Sequence, residues 1–330
     1  MRETDLKYLR CPTCGGNLSI TAVKSHNGDI IETAQLVCAH CNHSYPIIRG
    51  IPRFVPFENY ALSFGLEWSI HAKTQYDSYT RRNISEIRFF NETKWPQNLR
   101  GETILEVGSG SGRFTEQAAK TGAFVVSMDY SHAVDANYQS NGQKENVCIV
   151  QGDLYHMPLP HDFFDKVFCF GVLQHTPDVK KAFMALPRML RPGGEMVMDV
   201  YKQTPLSRLH PRHLLRLVTR QMDPDSLYRI IKKWIDLIWP ITPIFRKFSR
   251  ITPYITDILC VKDYSHLGLQ GDLLKEWSYL DTFDMLSPRY DSPQQIDNIL
   301  EWFQEAGLVE VDVTYGYNGI EGRGKRILGA

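Results

Sequence analysis

The stretch "TILEVGSGSGRFTEQAAK", residues 103–120, constrains the fold more than any other part of this 330-residue chain. Ile104 to Val107 make a short apolar run, alternating glycines stand at 108, 110 and 112, and a helical pattern begins near Arg113. A glycine turn between a buried strand and a helix lets a ligand approach the backbone closely. Such glycines also serve merely to close a tight turn, so the strands further along the chain must decide between the two. "AFVVSMD" is a second apolar strand ending in Asp129, and an acid at a strand's carboxyl end can accept both hydroxyls of a ribose. "CIVQGDLYHMPLP" is a third, with Gly152 and Asp153 at its end; "FDKVFCFGVLQH" is a fourth, and "RPGGEMVMDVY" adds a turn and a fifth. Strands alternating with helices predict an α/β, doubly wound parallel sheet whose ligand lies at the strands' carboxyl ends. Taken singly, Asp129 and Asp153 are equally ordinary as helix caps or turn residues. Glu106 separates this chain from dinucleotide binders: a carboxylate suits a cationic amino-acid cofactor and opposes a pyrophosphate.

Four of the seven cysteines form two CxxC pairs, Cys11 with Cys14 and Cys38 with Cys41. Four thiolates fill a zinc tetrahedron and leave no position for water or substrate, so the metal is expected to be structural. Zinc binding supplies on the order of 10 kcal/mol of folding free energy, which a segment of this size with few large apolar residues requires. A redox dithiol is the competing reading, and His40 or His43 could replace one cysteine. Cys148, Cys169 and Cys260 lie among apolar neighbours as small buried hydrophobes. With no apolar leader in MRETDLKYLR, and with "WIDLIWPITPIF" broken by Asp236, Pro240 and Pro243, a cytoplasmic protein without a spanning anchor is expected. The net charge of zero hides an uneven distribution: residues 201–250 hold 11 Lys/Arg against three Asp, a local +8.

The segment "CPTCGGNL…CAHCNHSYPIIRGIPRFVP" resembles the small zinc-ribbon family whose best-known members activate partner methyltransferases, over residues 6–56. The downstream set of Glu106, the glycine turn, Asp129 and Asp153 resembles the class I S-adenosylmethionine-dependent methyltransferases, over about residues 60–200 plus the C-terminal strands. That resemblance implies a seven-stranded Rossmann-like sheet of order 3-2-1-4-5-7-6. It also implies S-adenosyl-L-methionine as cofactor. Glu106 and the turn Gly108, Ser109, Gly110 and Gly112 would lie against its methionine part. Asp129 would hold the ribose, Asp153 the adenine amino group, and Leu154 and Tyr130 the two faces of the ring. Gly171 and Gln174 would approach the methionyl portion, and His175 would face the acceptor, either as a base or bonded locally beside Thr176-Pro177-Asp178. Methyl transfer asks little of protein acid–base chemistry, because the sulfonium is already activated and alignment supplies much of the rate.

Expected domain limits are residues 1–56 for the ribbon, 57–99 for a linker with cofactor-covering helices, 100–200 for the binding core, 201–280 for a helical basic insertion and 281–330 for the rest of the sheet. Trp68, Gln75 and Tyr76 are candidate pocket residues in the second segment, Gln75 on the cofactor side. In the insertion, Leu227, Ile230, Ile231, Trp234, Ile235 and Ile238 share a helical face, with Asp225 or Ser226 as cap. Its basic side suits peripheral contact with a membrane or another anionic ligand through residues 201–250, and RNA less well. Asp281, Asp284, Arg289 and Tyr290 are expected at the acceptor mouth, Arg289 pairing with an Asp. The leading expectation is a methyltransferase acting on a small biosynthetic intermediate such as a glycan, lipid-linked or secondary-metabolite precursor. An RNA methyltransferase and a noncatalytic partner-binding scaffold are the alternatives. No Asn/Asp-Pro-Pro-Tyr/Phe motif stands after the fourth strand, which weighs against base methylation.

Overall fold

The computed structural model describes residues 1–203, 211–243 and 258–328. Strands β1 (Leu18–Asn27), β2 (Ile30–Cys38), β3 (Ser44–Ile48) and β4 (Ile51–Pro52) make an antiparallel sheet in that order. Each cysteine pair closes a knuckle: Gly15 N donates to Cys11 O at 2.8 Å, and Asn42 N to Cys38 O at 3.0 Å. Next along the chain are three helices, α1 (Leu62–Ile70), α2 (Asp77–Thr80) and α3 (Ile84–Thr93).

The main sheet contains β5 (Thr103–Val107), β6 (Phe124–Asp129), β7 (Val147–Gln151), β8 (Phe164–Cys169), β9 (Leu190–Val200), β10 (Leu308–Gly316) and β11 (Gly319–Arg326). Its order is β10-β11-β9-β8-β5-β6-β7, which is 3-2-1-4-5-7-6 counted from β5, as the resemblance implied. Strands β5 to β9 run parallel; β11 pairs antiparallel with β9 and with β10. The central strands β5 and β8 are buried on both faces, as near-continuous apolar runs require. Helices α4 (Arg113–Lys120), α5 (Ala133–Asn141) and α6 (Val179–Ala185) cross between them.

The ribbon packs directly on this sheet. Arg53 pairs parallel with Gln151, and Phe54 N donates to Gln151 O at 2.9 Å, so the chain leaving β4 extends the sheet beyond the β7 edge. Tyr8 stacks on Phe124 with ring centroids 4.2 Å apart. One buried cluster therefore runs from Leu9 and Leu36 in the ribbon to Val126 and Val150 in the sheet.

Between β9 and β10 lie α7 (Pro211–Thr219), α8 (Pro224–Ile238), α9 (Gly271–Leu286) and α10 (Ile296–Glu305). Leu227, Ile231, Ile235 and Ile238 of α8 pack with Phe283, Met285 and Leu286 of α9 in a separate cluster. The expected apolar face of α8 is thus split: Ile230 and Trp234 are exposed. Its cap is Asp223, whose carboxylate accepts from Ser226 N at 2.9 Å, two residues earlier than expected at Asp225 and three before Ser226, because Pro224 fits the first helical position. Arg208, Arg246, Lys247 and Arg250 of the basic stretch fall outside the described residues.

Candidate active site

A cavity of roughly 520 Å³ opens where β5, β6, β7, β8 and β9 end, within the range of about 300–1,000 Å³ typical of small-molecule sites. The glycine turn forms one wall. Gly108 has φ +82°, and a Cβ there would lie 2.2 Å from Val172, so the close approach of turn and β8 loop requires glycine. Gly110 N donates to Asp129 Oδ2 at 2.9 Å, while Asp129 Oδ1 accepts from Ser131 N and Oγ at 2.8 and 2.7 Å. Asp129 therefore fixes the turn's shape and still lines the cavity beside Tyr130 and Leu154. Tyr130 stacks on Tyr60 at 4.8 Å. Ser109 and Gly171 also line the cavity, Gly171 N being held by Asp199 Oδ1.

The far wall comes from α1 and α9. Phe64, Glu67 and Trp68 of α1 face Leu280, Asp281 and Asp284 of α9 across the space. Gln75 lines it and donates to Asp281 Oδ1 at 3.3 Å. Among the described residues, neither carboxyl oxygen of fully buried Glu67 has a hydrogen-bond partner. Burial, with Asp284 and Asp281 close by, raises that carboxyl well above the usual range. Burial also pushes Asp281 up to about 6. On the floor, His175 Nδ1 lies 3.1 Å from Tyr290 O. A carbonyl only accepts, so Nδ1–H donates to it, and Nε2 is buried with no hydrogen-bond partner among the described residues. Phe64 and Tyr201 pack their rings against the imidazole at 5.2 and 5.5 Å.

Several expected residues lie behind the cavity wall instead. Glu106 sits beneath the turn, where Oε2 accepts from Thr115 Oγ1 and from Ser127 Oγ, the latter at 2.7 Å. Burial pushes it up to about 7, and its Oε1 has no partner among the described residues. Gly112 (φ +92°) packs against Asn137, whose Oδ1 would lie 2.1 Å from an added Cβ, so it closes the turn against α5. Asp153 turns back to accept from Tyr155 N at 2.9 Å, capping its own loop. Gln174 is buried under the short 3₁₀ turn Leu173–His175. Tyr76 lies behind the glycine turn and donates to Ser111 O at 2.6 Å. Tyr290 contributes its carbonyl, and Arg289 lies over the Tyr290 ring; Asp291 is paired with Arg216.

Sequence reasoning misses Tyr60 and Glu67. A signal for Glu67 exists, since it is the one charged residue between Phe64 and Ile70; Tyr60 has none.

At the ribbon, the sulfurs of Cys11, Cys14, Cys38 and Cys41 lie within 4.8 Å of one another, with Cys11–Cys41 and Cys14–Cys38 both 3.5 Å apart. Four sulfurs each about 2.3 Å from zinc would be roughly 3.8 Å apart, so the donor set fits that ion with no fifth ligand. His40 and His43 are exposed and outside the cluster; His43 Nδ1 lies 3.3 Å from Cys41 Sγ.

Residues 105–198 match the family model described as a methyltransferase domain, and residues 6–50 match that of Trm112p-like protein. The chain carries both domains. It joins a Trm112p-like zinc ribbon to a methyltransferase domain of the S-adenosylmethionine-dependent, Rossmann-like class. It is 32% identical over 148 residues to the demethylmenaquinone methyltransferase of Mycobacterium marinum, covering 41% of this chain and 62% of that protein. The ubiquinone biosynthesis O-methyltransferase of Pseudomonas fluorescens is 30% identical over 115 residues, 34% of this chain and 50% of that one. The chain thus spans only about half of the curated relatives it matches. A solved complex containing the Haloferax volcanii Trm112 methyltransferase activator has a TM-score of 0.44 at 13% identity, covering 83% of this chain and 100% of that one. For the cofactor, the methyltransferase domain's residues offer a fitting site: an acid at the end of β6, a glycine turn open to the cavity and stacked tyrosines.

Proposed function

We propose that the chain transfers a methyl group from S-adenosylmethionine to a hydroxyl of a small biosynthetic intermediate, of the lipid-linked kind among the expected precursors. The carrying observation is His175. Its Nδ1–H is held by Tyr290 O, leaving Nε2 as a buried lone pair on the cavity floor. When bound, S-adenosylmethionine supplies a methyl group on a sulfonium that needs no further activation. The chain's own task is to bind, orient and deprotonate. Asp129 would receive the ribose hydroxyls, Tyr60, Tyr130 and Leu154 would sandwich the adenine, and Gly108, Ser109 and Gly110 would border the methionine part. Gly171 would border the reacting end. His175 Nε2 would take the acceptor's proton as its oxygen gains the methyl group, a general-base role of ordinary geometry. Phe64, Tyr201 and Met285 would exclude water there. Two curated relatives carry quinone names, a demethylmenaquinone methyltransferase and a ubiquinone biosynthesis O-methyltransferase, which supports a lipid-linked acceptor over a glycan. The ribbon would brace the cofactor half through Phe54 and Arg53.

Labelled-methyl transfer from S-adenosylmethionine into separated lipid, small-metabolite and RNA fractions of the native host tests this. Label in the lipid fraction is expected. Label in RNA alone would replace the reading with RNA methylation, and no cofactor binding would leave a scaffold.

A further inference from the structure

Helix α7 is turned inside out. Arg216 is buried at 7% exposure, while Leu214 on the other side is 73% exposed, and Leu215, Leu217 and Val218 are exposed with it. The inward arginine is held by three partners: Nη1 donates to Met285 O at 3.1 Å, Nη2 to Pro288 O at 2.8 Å, and Nε lies 3.7 Å from Asp291. Burying a guanidinium in place of leucines costs desolvation that only such bonds offset. An apolar face kept outward against that preference calls for an apolar partner. Isolated exposed leucines are ordinary, but a helix face made of them marks a contact surface.

Helix α8 repeats the arrangement. Its buried stripe, Leu227, Ile231, Ile235 and Ile238, packs on α9, and a second apolar stripe about a quarter-turn away stays exposed. That stripe is Ile230, Trp234 and Leu237, with Leu237 at 73% exposure, and it continues to Ile241. Exposed Arg229 and Lys233 border it, Lys232 lies further round, and Arg220 stands just after α7. Cations beside outward apolar stripes match an interface that is apolar within and negative at its surface. No described helix is long and apolar enough to cross a membrane, so contact would be peripheral. Both helices pack on α9, and Arg212 of α7 lines the cavity.

We propose that α7 and α8 dock the protein on a bilayer containing anionic lipid, setting the Arg212 side of the cavity towards the lipid from which the acceptor enters. The docking surface stands apart from the chemistry; only its link to the acceptor rests on the methyl-transfer reading.

Flotation of the zinc-loaded full chain with vesicles tests it, using phosphatidylcholine alone and phosphatidylcholine with phosphatidylglycerol, at low and high salt. Binding is expected to the anionic vesicles, weakening with salt. Leu214→Ser with Leu217→Ser, and separately Trp234→Ser with Leu237→Ser, should each lower partitioning at least about tenfold. Arg229→Ser with Lys233→Ser should lower it by roughly thirtyfold and flatten the salt dependence. Calorimetric binding of S-adenosylmethionine should be unchanged in all three, which shows that they fold. A wild-type chain that binds cofactor but no vesicles overturns the proposal. So does self-association that Leu214→Ser with Leu217→Ser abolishes while no vesicles are bound, which would assign the face to a second copy. A chain that floats but transfers no methyl group keeps the surface and loses the acceptor reading.

Discussion

The ribbon and the helical insertion are both additions to the methyltransferase sheet, and they are attached in contrasting ways. The ribbon shares the sheet's own core: Tyr8 stacks on Phe124, and Phe54 N bonds to Gln151 O at the β7 edge. From there Gln151 Nε2 reaches Tyr130 O at 3.2 Å, so the metal module is two contacts from the cavity wall. The insertion keeps a cluster of its own and leaves an apolar face outward. On the proposed function, the difference would be a division of labour, with the ribbon stiffening the cofactor half and the insertion shaping the acceptor half and its approach. A site that must bind one constant ligand gains from rigidity; a site that must admit a bulky acceptor gains from a loosely attached wall.

The largest test of that contrast is removal of zinc. Chelation should cost the ribbon on the order of 10 kcal/mol of folding free energy, lowering its melting transition by circular dichroism while the insertion's helices persist. If the two melt together, the modules are not independent.

Next comes the buried acid under the glycine turn. Burial raises Glu106 from 4.5 to about 7, so between those values the unfolded chain ionises while the folded one keeps its proton. The folded state then binds more protons, and stability falls as pH rises through that window, by about 3 kcal/mol in total. Denaturant titrations from pH 4 to 8 should show the decline. Glu106→Gln should remove its share, leaving contributions of the same sign from Glu92 (raised to about 8) and Asp281 (raised to about 6).

A slightly smaller effect belongs to the acceptor half. His175→Ala should lower turnover by about a hundredfold, roughly 2.7 kcal/mol of barrier, with cofactor affinity untouched. Equal losses in both would make His175 a structural residue. Smallest is Arg53→Ala, which deletes bonds of 2.8 Å to Gln151 and 2.7 Å to Asp135 at the ribbon contact. It should cost about 1–2 kcal/mol of stability by chemical denaturation and a few-fold in cofactor affinity, leaving vesicle binding intact.

The sheet was legible in the sequence because its signals are local. Apolar runs end at Val107, Asp129, Gln151, Cys169 and Val200, and glycines or turn residues stand after them. The four cysteines were legible by spacing alone. Which way a side chain points was not. Asp153 and Glu106 carry the expected residue types, yet tertiary neighbours, Tyr155 N for one and Ser127 for the other, turn both carboxyls away from the cavity. Helix α7 reverses hydrophobic expectation because Arg216 finds the carbonyls of Met285 and Pro288, residues about 70 positions away. Tyr60 enters the site only because the ribbon's exit path brings it over Tyr130. No periodicity encodes such encounters.

The most direct measurement is calorimetric titration of S-adenosylmethionine into the zinc-loaded chain and into the same chain after chelation, with the sheet shown intact by circular dichroism. A single site is expected in the loaded protein, with at least tenfold weaker binding once zinc is gone. Equal affinities would contradict the ribbon's role as a brace, and no binding to either would contradict the assignment of the cavity itself.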